Sequence, residues 1–408
     1  MCKRIFFIWV GLFLLAAPVS AQSHTLLSRQ TDAYFSTVSA LFLYEEEGAS
    51  SFEETWNGTK EILSQIERAV SISDPDSDIA RFNALSSGQS CTISSVTADI
   101  LRTAYDVYAE TDGLYDPTVY PLVDLWGFSP RFNRNTYSPA LPYDRAYIDG
   151  RLPMPDERHI EALLPLVGLS GITLTEENGV YTLHKNTPPV TIDGELIQAQ
   201  LDLGGIAKGY ACDRVAEYLR QQGYTMGHFV CGGSSMAILS RPDGDGLYTI
   251  TLGKPRAGAA DITYYASVQV HDTTLSTSSD SLHSFIQDDT LYCHLIDPRT
   301  GWPVNTPAGD SGQRGIASLT LLGESAAYND AMSTALIVMG PQKAMAYISE
   351  HMQNDSVVFA AYKAGETALE VVTNMPDSQL SLDDSAYLSA STVDADGHIL
   401  YTGCFFAP

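Results

Sequence analysis

The chain has 408 residues, 44% of them hydrophobic, and a formal net charge of −26 at pH 7. The hydrophobic fraction is typical of a globular protein, whereas the acidic charge repels nucleic acid, whose binding proteins need a basic surface. We therefore exclude nucleic acid as a partner. The same field opposes ligands that carry phosphate, so a nucleotide site in this chain needs local positive charge from a metal ion, a lysine or a helix N-terminus.

The first residues predict a secretory signal. Lys3 and Arg4 precede an apolar run at residues 5–17, and small residues precede Gln22. This layout predicts a cleaved signal peptide at residues 1–21 and export to the periplasm or another extracytoplasmic space. No later segment has the roughly 20 apolar residues of a transmembrane helix. The cysteines that remain are scattered and include no C-x-x-C pair, so we expect neither a disulfide framework nor a zinc site.

Apolar spacing and turn residues predict a mixture of helices and strands along the chain. Helices are predicted at residues 53–70, 95–111, 156–167, about 204–223 and 329–339, and a Pro-rich surface excursion at 129–155. Strands are predicted at residues 171–175, 179–184, 227–239, 246–253, 264–270 and 292–296. Because helices and strands do not alternate strictly, we predict an α+β fold of mixed, largely antiparallel sheets with flanking helices.

The stretch at residues 201–213 contains Gly204 and Gly205 at a predicted strand-to-helix turn, followed by Lys208. Two glycines let the backbone approach a ligand closely, and the helix start offers free N–H groups and a positive dipole to an anion. By itself the pattern also suits a tight turn with a solvated lysine. It is not G-x-G-x-x-G, so it does not support a dinucleotide-binding Rossmann unit.

In the stretch at residues 326–336, Asp330 and Thr334 lie one helical turn apart. A carboxylate and a hydroxyl on one helix face suit Mg²⁺, which takes few protein oxygens and completes its shell with substrate phosphates. The same pair is also compatible with a helix cap or a solvated face.

Two further stretches contain candidate ligand-binding residues. His294, predicted to lie in a strand just before the turn at residues 297–303, is a candidate general base, although a lone strand histidine is usually structural. Trp126, Gly127 and Phe128 end an aromatic stretch that suits either a wall for a flat heteroaromatic ligand or a loop anchored by core aromatics.

Taken in chain order, these stretches resemble the ApbE family, the FAD:protein FMN transferases. The resemblance runs from about residue 34 to about residue 349, and it includes the S-x-I-x-x-x-N element at residues 77–83, Cys231-Gly232-Gly233 and Ser276-Thr277-Ser278. We therefore assign residues 22–371 to an ApbE-like domain and residues 372–408 to a C-terminal extension of unknown role.

The resemblance implies the roles of individual residues. It implies that Asp202 and Lys208 contact FAD and that the Gly205 carbonyl, Asp330 and Thr334 hold Mg²⁺. The flavin nucleotide site is implied at Trp126, Gly127 and Phe128, to which we add Leu295, and the reaction centre is implied at His294 and Asp330.

The implied reaction cleaves FAD, the substrate, to AMP and attaches FMN to a Ser or Thr hydroxyl of an acceptor protein. A subunit of a membrane redox pump or a secreted flavoprotein would suit as acceptor, and the enzyme would then meet the membrane through that partner. Two alternatives stay open from the sequence: an FAD pyrophosphatase, in which water replaces the hydroxyl, and a flavin-binding protein without turnover.

Overall fold

The computed structural model describes residues 24–129, 154–242, 245–256, 264–281, 283–288, 290–306, 315–362, 369–376 and 378–382, and the backbone of 392–393 and 399–400. The predicted signal peptide and most of the Pro-rich excursion at residues 129–155 lie outside these ranges. Within the described residues, no helix has the length and apolar character needed to cross a membrane.

The helices are α1 Phe52–Val70, α2 Asp78–Asn83, α3 Ser95–Glu110, α4 Tyr120–Leu125, α5 Glu157–Leu163, α6 Gly204–Gln221, α7 Ala326–Met339 and α8 Pro341–His351. The strands are β1 Leu26–Tyr34, β2 Thr37–Tyr44, β3 Ser90–Ile93, β4 Ile172–Glu177, β5 Val180–Lys185, β6 Val190–Ile192, β7 Glu195–Ile197, β8 Gly227–Cys231, β9 Ser235–Ile238, β10 Tyr248–Gly253, β11 Tyr264–Val270, β12 Thr273–Ser279, β13 Ser284–Gln287, β14 Thr290–Cys293, β15 Gly315–Gly323, β16 Ser356–Tyr362, β17 Leu369–Thr373, β18 Leu380–Leu382, β19 Thr392–Val393 and β20 Ile399–Leu400.

An eight-stranded sheet with the order β1-β2-β8-β9-β12-β15-β16-β17 forms the centre of the fold. Every pairing between these strands is antiparallel, as in β12 with β15 and β15 with β16. The predicted α+β class with largely antiparallel sheets is therefore confirmed. Smaller antiparallel sheets, among them β10-β11-β18 and the hairpin β13-β14, surround the central one.

The inner strands β15 and β16 of the central sheet are buried on both faces, and β16 shows this directly. Val357 and Phe359 belong to the hydrophobic cluster that also contains α1, α3, α6 and α7, whereas Val358 and Ala360 belong to the cluster formed with β10, β11 and β18. Because successive side chains of a strand point to opposite faces, a strand buried on both sides is apolar throughout.

Local chemistry sets the helix ends. Ser51 and Ser94 accept backbone N–H groups at the starts of α1 and α3, as expected for N-cap residues. The helix predicted at residues 156–167 is shorter than expected, because α5 ends at Leu163 and a 3₁₀ turn at Leu164–Leu166 follows. Pro165 lies in that turn, and proline does not continue an α-helix because it lacks a backbone N–H.

Two other predicted elements differ in detail. The strand predicted at residues 227–239 is the hairpin of β8 and β9, turned by Gly232 and Gly233 with φ values of 66° and 68°. This left-handed conformation favours glycine. The expected boundary between residues 371 and 372 falls inside β17, which pairs with β16, and β18 pairs with β11.

Candidate functional site

The start of α6 forms the first part of the site. The Asp202 carboxylate accepts a hydrogen bond from the Gly204 N–H at 2.8 Å, which satisfies one of the N–H groups that a helix start leaves without a helical partner. The Lys208 ammonium folds back over this first turn and donates to the Gly204 carbonyl at 2.9 Å. The predicted ligand residues Asp202 and Lys208 therefore lie together at the N-terminus of α6.

The second part is the crossing of α6 and α7, which Gly209 makes possible. A Cβ atom on Gly209 would lie 2.1 Å from the carbonyl oxygen of Ala326, so only glycine permits this approach. At the crossing, the Gly209 N–H donates to Oδ2 of Asp330 at 3.0 Å. In an α-helix the N–H of residue 209 faces the carbonyl of residue 205. The Gly205 carbonyl and the Asp330 carboxylate consequently face the same N–H group.

Asp213, which the sequence analysis did not single out, fixes how α7 begins. Its carboxylate accepts the N–H groups of Ala326 at 2.7 Å and Ala327 at 3.0 Å, and the hydroxyl of Ser325 at 2.9 Å. The helix therefore starts three residues before the predicted start at residue 329. The signal was in the sequence, because a serine just before an apolar helical run is a common N-cap.

Thr334 lies one turn beyond Asp330 on α7 and is half-buried. Its hydroxyl is 3.0 Å from the hydroxyl of Ser278 on β12, which is also 2.7 Å from that of Ser333. The Ser276-Thr277-Ser278 segment therefore positions Thr334. The structure thus brings all three predicted metal ligands, Gly205, Asp330 and Thr334, to the junction of α6, α7 and β12.

Burial sets the electrostatics of this junction. The Asp330 side chain is almost completely buried, which raises its pKa, while the charge of Lys208 and the Gly209 N–H lower it. Burial likewise raises the pKa of Asp202, against the opposing effects of the Gly204 N–H and Lys208. Two carboxylates that share one ammonium favour a further cation at the site.

The buried hydroxyl of Tyr115 supports this interpretation. Tyr115 is 4% exposed and its hydroxyl has no hydrogen-bond partner in the described part of the chain. Burial raises its pKa well above the usual value, and the charges of Asp330 and Asp202 raise it further, so the phenol stays protonated. A neutral donor beside two carboxylates is suited to a phosphate or metal-bound water oxygen.

The residues present fit Mg²⁺ better than a transition metal. Among the residues that the structure describes, no three His, Cys, Asp or Glu side chains converge on a metal position. The available donors are a carboxylate, a hydroxyl and a backbone carbonyl, all hard oxygens. Mg²⁺ commonly uses one or two carboxylates and takes its other ligands from water and phosphate.

Asn83, the last residue of the S-x-I-x-x-x-N element, holds the segment that enters the site. Its side-chain amide accepts the Leu201 N–H at 2.7 Å and donates to the Leu201 carbonyl at 2.8 Å. The buried Lys185 ammonium in turn donates to the carbonyls of Asn83 at 3.2 Å and Leu85 at 2.8 Å. The sequence motif thus has a structural reason, because it fixes the residue immediately before Asp202.

His294 belongs to a second group of residues. His294 was predicted to lie in a strand, but it is the first residue after β14. The pairing of β13 with β14 ends at Cys293. The backbone N–H of His294 donates to the His283 carbonyl at 3.1 Å, and the two imidazole rings meet edge to face with centroids 5.5 Å apart. His283 was not identified from the sequence, where nothing distinguishes it from other surface histidines.

Aromatic rings adjoin His294. Trp126 is 1% exposed, donates its indole N–H to the Gly301 carbonyl at 2.8 Å and stacks on Tyr292. The sequence left open a ligand wall or an anchored loop, and the structure gives Trp126 the supporting position. Phe128 is half-buried and stacks on Phe285 with centroids 5.7 Å apart.

The other two predicted flavin contacts, Gly127 and Leu295, have structural roles in the loops beside these rings. Gly127 turns the chain between Trp126 and Phe128 with a φ of 83°. Leu295 is buried and its carbonyl accepts the Val304 N–H at 2.9 Å. A contact of FAD with any of these four residues stays a prediction.

The fold and the site together define a mixed α+β protein in which a helix start and a helix-borne carboxylate converge on a site of hard oxygen donors. Comparison with known proteins identifies the family within this class. The model of the ApbE family matches residues 36–359. The chain therefore belongs to the ApbE family.

Individual relatives agree with this assignment. The chain is 29% identical over 287 residues to the FAD:protein FMN transferase of Vibrio cholerae serotype O1, covering 70% of this chain and 73% of the relative. It is 29% identical over 271 residues to the FAD:protein FMN transferase of Escherichia coli K12, covering 66% of each protein. The solved structure of the flavin transferase ApbE from Vibrio cholerae aligns with a TM-score of 0.64 at 25% identity, covering 84% of this chain and 98% of that one.

Proposed function

We propose that this protein is a Mg²⁺-dependent FAD:protein FMN transferase. It cleaves FAD to AMP and FMN and attaches the FMN through a phosphoester to a Ser or Thr hydroxyl of an acceptor protein. Support comes from the names of the relatives, which are transferases, and from the arrangement of hard oxygen donors beside Lys208.

The observation that carries the proposal is the hydrogen bond from the Gly209 N–H to Asp330. It brings the Asp330 carboxylate to the helix turn that carries the Gly205 carbonyl and the Lys208 ammonium. A diphosphate at this position would lie at the N-terminus of α6, where the helix dipole and Lys208 supply the positive charge that the acidic chain lacks elsewhere.

Mg²⁺ held by Gly205, Asp330 and Thr334 would withdraw charge from the diphosphate of FAD. The chain's own residues supply position and charge stabilisation, which are the main requirements of phosphoryl transfer. Lys208 neutralises a phosphate oxygen, and the protonated Tyr115 hydroxyl donates to a further oxygen. Asn83 keeps the loop residue before Asp202 in place while the bond breaks.

The acceptor hydroxyl attacks the phosphorus bonded to the ribityl oxygen of FAD, and AMP leaves. We assign the removal of the hydroxyl proton to His294, with Asp330 as the other candidate base. An imidazole titrates near neutral pH and suits this role. The aromatic rings beside His294, with Phe128 at their edge, would support the flavin half of the substrate.

We further propose that the protein works outside the cytoplasm, on the support of the signal-peptide pattern at residues 1–21. Its acceptor would be a protein with an exposed Ser or Thr, such as a subunit of a membrane redox pump or a secreted flavoprotein. An enzyme with no membrane span in its described residues would reach the membrane through such an acceptor.

The test is to incubate the protein with FAD, Mg²⁺ and a candidate acceptor, and to measure AMP, free FMN and the mass of the acceptor. We expect AMP and flavinylated acceptor in equal amounts, and no cleavage in excess chelator. Asp330→Asn should abolish cleavage. The exposed helix residue Asp106 provides a matched control, because Asp106→Asn makes the same chemical change away from the site.

The products distinguish the possible activities. AMP with an equal amount of free FMN would identify a pyrophosphatase instead of a transferase. FAD binding without any AMP would identify a binding protein. Full cleavage in chelator, or full activity of Asp330→Asn, would reject the metal assignment.

A further inference from the structure

A second cluster of oxygen atoms lies on the other side of the first turn of α7. A cleft of about 650 Å³ is lined by the ends of β12 and β15, the start of α7 and the turn before β16. Three of its lining residues are acidic, Asp272, Glu324 and Asp355, and no Lys or Arg is among the described residues that line it. His271 also lines the cleft, and its Nδ1 lies 3.7 Å from the Asp272 carboxylate. Glu324 and Asp355 therefore have no basic side chain of their own among the described lining residues.

The side chain of Asn329, which lines this cleft, has a buried and unpaired oxygen. The Thr274 hydroxyl has a single proton, which it donates to the Gly323 carbonyl at 2.9 Å. Thr274 must therefore accept the hydrogen bond that joins it to Asn329 at 3.1 Å, so the NH₂ group of Asn329 faces Thr274. The Asn329 Oδ1 then faces away, and it has no hydrogen-bond partner within the described residues although Asn329 is 1% exposed.

A carboxylate oxygen lies close to the same point. A Cβ atom on Gly323 would lie 2.5 Å from the Asp355 Oδ1 and 3.2 Å from the Asn329 Oδ1, so both oxygens lie close to Gly323 and to each other. Burial raises the pKa of Asp355, and the neighbouring charge of Glu324 raises it further. Neither carboxylate has an ion pair in the parts of the chain that the structure describes.

We propose that Asn329, Asp355 and Glu324 bind a hard divalent cation of the Ca²⁺ type, distinct from the Mg²⁺ site at Asp330. Ca²⁺ accepts carboxylate, amide and water oxygens together in flexible geometry, whereas the small Mg²⁺ demands near-octahedral geometry. A buried water molecule would satisfy the Asn329 oxygen but would not neutralise two carboxylates. Bound Ca²⁺ satisfies both requirements and ties the start of α7 to the turn before β16.

Adjacent residues of a helix point in directions about 100° apart, which separates the two sites. Asn329 contacts Thr274 and the cleft, while Asp330 contacts Gly209 on α6. The cation would therefore act on the position of α7 and not on the substrate directly. The proposal does not depend on the nature of the reaction.

The test is isothermal titration calorimetry. CaCl₂ is titrated into the full chain after a chelator has removed bound metal. We expect one Ca²⁺ per chain in the Asp330→Ala variant, which lacks the catalytic carboxylate, and a rise in melting temperature of at least about 2 °C at saturating Ca²⁺. Asp355→Asn keeps the size of the side chain and should weaken this binding at least about tenfold. Asp106→Asn should bind Ca²⁺ as the parent does.

Two results would overturn the proposal. Loss of all Ca²⁺ binding in Asp330→Ala would show that the ion enters only the catalytic site. Within the Asp330→Ala variant, equal Ca²⁺ affinity with and without Asp355→Asn would show that Asp355 does not hold the ion. Circular dichroism of each metal-free variant confirms that it is folded, so a loss of binding is not confused with unfolding.

Discussion

Gly209→Ala tests the packing on which the whole site depends. The added Cβ would lie 2.1 Å from the Ala326 carbonyl oxygen and 2.8 Å from the Ala327 Cα. Both atoms are backbone, and an ordinary contact needs about 3.4 Å, so α6 and α7 must separate by about 1.3 Å. Overpacking of this kind typically costs about 1–3 kcal/mol, and we expect the upper half of that range because no flexible side chain can move aside.

The separation should also damage the site. It lengthens the 3.0 Å hydrogen bond from the Gly209 N–H to Asp330, so we expect half-maximal FAD cleavage at a higher Mg²⁺ concentration and a slower maximal rate, together with the loss of stability. The assay is urea unfolding of both proteins, followed by FAD cleavage as a function of Mg²⁺ concentration at a temperature where both are folded.

Gly58→Ala is the matched control. Its Cβ would lie 2.0 Å from an oxygen as well, but that oxygen belongs to the phenol of Tyr218, a side chain that can change its rotamer, and not to the backbone. Replacing a helix glycine by alanine favours the helix by up to about 1 kcal/mol, so Gly58→Ala should stay within about 1 kcal/mol of the parent. Equal stability of the two variants, with unchanged Mg²⁺ dependence, would refute the proposed role of the crossing.

Three further changes test other parts of the structure. Burial raises the pKa of Asp116 to about 6, so its contribution to stability is full below about pH 4 and is lost as the pH rises through 6. The Asn side chain of Asp116→Asn does not ionise. The free energy of unfolding of this variant in urea, relative to that of the parent, should therefore rise by about 2–3 kcal/mol from pH 4 to pH 7. A difference that stays constant with pH would contradict the raised pKa of Asp116. Asn83→Ala leaves both backbone groups of the buried Leu201 unpaired, so we expect the free energy of unfolding in urea to fall by about 2–4 kcal/mol and FAD cleavage to slow. An unchanged urea midpoint would contradict the role of Asn83 in holding Leu201. His294→Asn should lower the rate of FMN transfer by about 10²–10⁴-fold with little change in FAD affinity, and transfer at the parent rate would pass the role of base to Asp330.

Elements with a strong local signal were predictable from the sequence. The helices predicted at residues 53–70 and 95–111 are found within one residue of their expected ends, because the spacing of their apolar residues and their serine caps are local properties. The central strands β15 and β16 were not identified. They are buried on both faces, and a continuous apolar run does not distinguish a strand from a buried helix.

The sequence by itself determined which chemical groups the site contains, because the motifs carry Asp202, Lys208, Asp330 and Thr334 and the family resemblance orders them. Only the tertiary structure decided how they meet. Gly209 and Asp330 are 121 residues apart in the chain, and their hydrogen bond exists because a glycine lets two helices touch. The unpaired oxygen of Asn329 likewise became visible only through its contact with Thr274, 55 residues away. Contacts between distant segments depend on packing and on the direction of single hydrogen bonds, which the local pattern of a sequence does not specify.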